Sequence, residues 1–176
     1  MADDVLVVLQ QAVNKEQDRQ AYYEDATQRV CHPLAKTTFS ALAKQEKMHA
    51  EFLMSYYEKM KVSAGWPDPV ECGDACQVEA EEVKDIFAHA RQSIEGEVTC
   101  NTDLTEAYKI AMQGERDAID FYKTQLEAAT DKNAIAFYTV LVDAERSHLQ
   151  LLAKTEEFLN TPGDWFFSEE NWIVEG

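Results

Sequence analysis

The chain contains two copies of one pattern. Shifted by 99 positions and without a gap, Ala12, Glu16, Asp18, Tyr23, Ala35, Leu42, Glu46, His49, Leu53 and Glu58 fall on Ala111, Glu115, Asp117, Tyr122, Ala134, Leu141, Glu145, His148, Leu152 and Glu157. The intervals inside each copy agree as well. Glu16 precedes Glu46 by 30 residues and His49 by 33, and Glu115 keeps both spacings to Glu145 and His148. The matched positions step by three and four, which is the helical period. Ala35, Phe39, Leu42, Glu46, His49 and Leu53 form one seam, and Ala134, Tyr138, Leu141, Glu145, His148 and Leu152 form its twin. Whatever one half builds, the other builds too, so the two halves are expected to pair about a pseudo-two-fold axis.

Both seams are apolar except at the Glu and the His. A lone carboxylate in an apolar seam costs several kcal/mol, roughly, unless it is paired or bound to a metal. Glu16, among Leu9, Ala12 and Tyr23, and Glu115, among Tyr108, Ala111 and Tyr122, add two more inward carboxylates at mid-helix. Four carboxylates and two imidazoles therefore converge. Four negative charges do not sit together in a low-dielectric core without cations, and two divalent metals would balance them. Oxygen-rich ligation with one imidazole per metal suits iron or manganese. Glu46 and Glu145 are placed to bridge, Glu16 and Glu115 to bind one metal each, with His49 on one ion and His148 on the other. A Glu-x-x-His alone says little; two in register with two further inward Glu say much more.

Proline and glycine punctuate four long helices. The first runs from Asp3 or Asp4, as N-caps, to Val30; the second from Pro33, suited to a first helical position, to Lys61; the third from Thr102 or Asp103 to Ala129; the fourth from Lys132 to Asn160, stopped by Thr161-Pro162-Gly163. Residues 62–101 form a connection far longer than a turn, with a short helix expected over Val78–Arg91. A helix of 28 residues is about 42 Å long, and a 40-residue crossover can return the chain along that length. The expected fold is all-α, an up-down-down-up four-helix bundle in residues 1–160. The aromatic tail at 161–176 is expected to pack on the bundle or at a subunit contact.

The formal charge of −17 repels phosphate backbones and argues against nucleic-acid binding. No run approaches the roughly 20 apolar residues of a membrane span, and Met-Ala-Asp-Asp at the start does not resemble a signal peptide. The expected location is cytoplasmic, with Cys31, Cys72, Cys76 and Cys100 as thiols rather than a disulfide frame. Cys31-His32 at the break between the first two helices reads as structural, and His89 as exposed.

The six residues resemble the ligand set of the ferritin-like di-iron proteins, in particular the rubrerythrin-like branch: one Glu from each of two helices and Glu-x-x-His from each of the other two. The resemblance spans both hairpins and, more loosely, Pro162-Gly163-Asp164-Trp165-Phe166. It implies two iron ions per chain, with manganese or a mixed pair as alternatives, and an oxidoreductase that reacts with O2 or H2O2. It also implies a homodimer. Two departures stand out. Rubrerythrin's rubredoxin module, with its Cys-x-x-Cys pairs, is absent, so an external electron donor is implied. The family's extra third-helix Glu is replaced by Ala118, whose repeat mate is Arg19. Tyr23 and Tyr122, seven residues past Glu16 and Glu115, are candidates for a redox or hydrogen-bonding role, or else core aromatics with a polar tip. Ferroxidase or iron handling, an oxygenase acting on an organic substrate, and a non-catalytic metal-binding module are the alternative functions.

Overall fold

The computed structural model describes residues 2–63, 65–67, 83–87 and 104–161. Four long helices carry the expected segments: α1 at Ala2–Arg29, α2 at Pro33–Val62, α3 at Leu104–Ala128 and α4 at Lys132–Asn160. α1 begins at Ala2, ahead of the two aspartates expected to cap it. Pro33 occupies the first turn of α2, where its missing N–H is no loss. His32 caps that helix through Nδ1, which accepts the Leu34 N–H at 3.2 Å. Asp131 caps α4 by accepting the amides of Asn133 and Ala134 at 2.7 and 3.3 Å. Such caps stabilise by roughly 1 kcal/mol each.

The contacts fix the direction of every helix. One core cluster joins Tyr23 and Ala26 near the end of α1, Leu34 and Phe39 at the start of α2, Tyr108 at the start of α3 and Phe158 at the end of α4. The other joins Leu9 of α1, Tyr56 of α2, Tyr122 of α3 and Phe137 of α4, at the opposite ends of the same helices. Taking α1 as up, α2 and α3 run down and α4 runs up, as the repeat and the long crossover predict. α1 packs on α2 and α3 on α4, and the hairpins meet through α2–α4 and α1–α3. Residues of the crossover appear at both ends. Trp66 stacks near Phe137 in the second cluster, ring centroids 5.2 Å apart. Residues 83–87 are helical and bury Ile86 and Phe87 in the first cluster.

One expectation fails. Cys31 is disulfide-bonded rather than a free thiol, and its partner lies outside the described residues. Whether two cysteines meet depends on their Cβ atoms approaching to about 3.8 Å, which is set by the path of the crossover and not by spacing along the chain. Cys31 is therefore not one of the thiols expected of the four cysteines. Cys72, Cys76, Cys100, His89 and the aromatic tail from Pro162 onward lie outside the described residues. No helix among the described residues is long and apolar enough to cross a membrane.

Candidate metal centre

Between the two apolar clusters lies one polar layer. All twelve predicted seam residues of α2 and α4 are buried. Glu16, Glu46, His49, Glu115, Glu145 and His148 have 0% exposure, so bulk water cannot compensate their charges. The helical period turns each side chain inward, and the 30- and 33-residue spacings bring all six to the same height.

The distances divide the layer into two halves. His49 Nδ1 lies 3.6 Å from Glu16 Oε2, 3.7 Å from Glu46 Oε2 and 3.4 Å from Glu145 Oε1. His148 Nδ1 lies 3.0 Å from Glu46 Oε1, 3.7 Å from Glu115 Oε1 and 3.5 Å from Glu145 Oε2. Glu46 and Glu145 thus turn one oxygen to each imidazole. Glu16 faces His49, and Glu115 faces His148. The two rings lie nearly parallel, centroids 5.0 Å apart.

Tyr23 and Tyr122 hydrogen-bond across the repeat. Tyr23 on α1 donates to Glu115 on α3, and Tyr122 on α3 donates to Glu16 on α1. Both rings are buried, so each is a core aromatic whose polar tip holds a carboxylate of the other hairpin.

One further side chain enters the layer. Arg19 lies one helical turn past Glu16 and reaches all four carboxylates. Its Nη2 donates to Glu16, to Glu46 Oε2 at 3.2 Å and to Glu145 Oε1 at 3.1 Å. Its Nε lies 3.8 Å from Glu115 Oε2. In the sequence, Arg19 stands out only as the non-carboxylate mate of Ala118. The signal lies in the spacing: Glu16-x-x-Arg19 shares one helix face.

These neighbours divide the titration of the layer. Burial pushes the Glu16 carboxyl up, against the pull of Arg19, to about 7. Burial and the charge on Glu46 push Glu115 up to about 8. At Glu46 and Glu145 burial is outweighed by the Arg19 guanidinium and the nearby imidazoles, and both carboxyls fall below the usual carboxylate range. Burial disfavours the imidazolium of His49 and His148, but the carboxylates around each ring hold it well above its ordinary value. Without metal, then, protons and Arg19 together balance the carboxylates.

The donor set fits metal. Ligand atoms of Glu46, His49, Glu145 and His148 lie within 4.8 Å of one another, a grouping able to hold an ion. Glu115 Oε2, Glu145 Oε2 and His148 Nε2 are buried with no hydrogen-bond partner among the described residues. Such atoms are costly unless something else satisfies them. Oxygen and imidazole donors without thiolate match iron or manganese. The surface grooves beside Ser40 and Asp85 and beside Lys59 and Trp66 are lined by none of the six residues.

A four-helix bundle of this topology, with inward Glu and Glu-x-x-His contributed in symmetric pairs, defines a ferritin-like metal-binding protein. Comparison with family models agrees: the model described as rubrerythrin matches residues 8–156. The chain belongs to the rubrerythrin family. No curated protein and no solved structure matches it.

Proposed function

We propose that the polar layer is a non-haem dimetal centre holding two irons per chain, and that the protein is an oxidoreductase reducing dioxygen or hydrogen peroxide. The observation that carries this reading is the division of the carboxylates. Glu46 and Glu145 each face both imidazoles and would be the residues shared by the two ions, while Glu16 and Glu115 each face one. His49 and His148 complete the two halves. Two bound irons would supply the electrons and the Lewis acidity for cleaving an O–O bond.

The protein's own part is to hold this set ready. The apolar clusters above and below exclude water, which strengthens each electrostatic contact. The Tyr23 and Tyr122 hydroxyls fix the rotamers of the two terminal carboxylates. Glu46 and Glu145 stay ionised and need no deprotonation to bind metal, whereas the imidazoles, Glu16 and Glu115, all raised by their surroundings, release protons as metal binds. An electron donor from outside the chain completes the cycle.

The test is to load the metal-free protein with Fe(II) under anaerobic conditions and mix it with O2 or H2O2 while following ferric absorbance. Fast oxidation, turned over repeatedly by an added reductant, is the expected result. Oxidation no faster than that of free Fe(II) would refute the catalytic reading. Two bound manganese in the purified protein would redirect it to peroxide disproportionation.

A further inference from the structure

The layer contains six candidate ligands and one guanidinium, but its two halves are not equivalent. The three oxygens that converge on Arg19 Nη2 are those of Glu16, Glu46 Oε2 and Glu145 Oε1. The same three carboxylates face His49 Nδ1, with the same Glu46 and Glu145 oxygens. Arg19 therefore puts its positive charge where a metal ligated by Glu16 and His49 would sit. Among the described residues the other half has no such occupant. Arg19 approaches Glu115 only through Nε, at 3.8 Å, and the repeat mate of Arg19 is the buried methyl of Ala118.

We infer that Arg19 is an internal cation that holds the His49 half of the layer in the metal-free protein and competes with metal there, so that the His148 half fills first. The inference rests on the dimetal reading above and concerns the order and strength of filling. A guanidinium does not lose its proton in a protein, so it yields the position only by moving away. Two cations a few ångströms apart in a buried site repel strongly, and the three oxygens cannot satisfy both. Arg19 is built to move. Its side chain is 12% exposed, against zero for the six ligands around it, so it has a route to solvent that they lack. Its stem passes Gly114 of α3, where an added Cβ would meet only Arg19 Cδ, at 3.8 Å. The stem thus packs against a residue with no side chain of its own to block it. Arg19 thus keeps the carboxylate cage assembled before metal arrives and sets a threshold for the second ion.

The experiment titrates metal-free wild type, Arg19→Ala and Arg19→Gln with Mn(II) in the absence of air, counting free ion by electron paramagnetic resonance. Thermal melting of each protein, metal-free and metal-saturated, accompanies it. In wild type the second ion is expected to bind at least ~100-fold more weakly than the first, the scale of one uncompensated like charge at this range. In both variants the second step tightens until the two differ by less than about tenfold. Metal-free Arg19→Ala melts below wild type, and metal gives it the larger rise in melting temperature. The neutral amide of Arg19→Gln still hydrogen-bonds the carboxylates and serves where the alanine variant does not fold without metal. Two ions binding wild type with equal affinity, or an unchanged gap in the variants, would overturn the role of Arg19 and leave the dimetal reading intact. Binding of no ion by any of the proteins would overturn both.

Discussion

The two hairpins of this bundle share a ligand set yet differ in what stands beside it. α1 and α2 carry Glu16, Glu46, His49 and Tyr23; α3 and α4 carry Glu115, Glu145, His148 and Tyr122, and both sets meet at one height. The first hairpin adds a guanidinium at position 19, where the second has the methyl of Ala118. Duplication therefore sets the geometry of the donors, and a single unmatched side chain sets their charge. A symmetric cage of four carboxylates would have only protons to balance it before metal arrives. Arg19 supplies a permanent cation, and its asymmetry passes to everything in contact with it. Glu16 sits beside Arg19 and is pushed up only to about 7, whereas Glu115 reaches about 8.

The imidazoles offer the largest contrast. His148→Ala is expected to remove the tight metal step, because its half of the layer is the one Arg19 leaves open. His49→Ala is expected to remove the weak step and leave the tight one nearly unchanged. The difference in first-step affinity between the two variants should be on the order of 100-fold or more, the scale of losing a buried ligand, read by metal titration. Equal losses would mean that the halves are equivalent.

Next in size is the response to pH. Glu16 and Glu115 have folded values of about 7 and 8 against an ordinary 4.5. Between pH 4.5 and 8 the folded state therefore holds more protons than the unfolded state, and stability falls as pH rises. His49 and His148, raised above 6.5, act in the same direction: their contribution is complete below 6.5 and is lost as pH rises through their folded values. Metal-free protein is expected to melt progressively lower from pH 5 to 8. Metal uptake displaces the same protons, so affinity should rise over that range. Melting curves with and without metal separate the two trends, and a metal-free melting temperature that rises with pH would contradict the assignment.

A smaller difference should separate the tyrosines. Tyr23→Phe takes the nearest donor from Glu115, to which Arg19 comes no closer than 3.8 Å. Tyr122→Phe takes a donor from Glu16, which keeps Arg19. The first is expected to cost about 2 kcal/mol and the second about 1 kcal/mol in metal-free stability, within the range spanned by neutral and charge-assisted hydrogen bonds. Denaturant titration of the two variants decides it. The smallest effect is expected at Gly114. Its added Cβ meets Arg19 Cδ at ordinary contact distance, so Gly114→Ala should stabilise α3 by up to about 1 kcal/mol through helix propensity. Destabilisation would mean that the Arg19 stem needs that space.

The helices and the six inward residues were legible because repetition and helical period test each other: a Glu at 16 gains meaning from a Glu at 115. The direction of the helices followed from the length of the crossover. Two features were not legible, and both depend on contacts between distant segments. The Cys31 disulfide turns on where the crossover brings a second sulfur. Arg19 stands on the inward face of α1, but long cationic side chains at such positions commonly reach past the core to water. Only the convergence of four carboxylates shows that this one turns in. The cap at His32 was half legible: Pro33 marked the helix start, but the imidazole acting as cap acceptor depends on its rotamer.

The central claim is that Glu46 and Glu145 tie two ions into one centre. It is tested most directly by counting metal bound per chain at saturating Fe(II) without air, in wild type and in Glu145→Ala. Two irons in wild type and almost none in the variant is the expected result, since a lost bridge leaves both halves incomplete. Wild type without metal, or a variant that still holds two ions tightly, would contradict it.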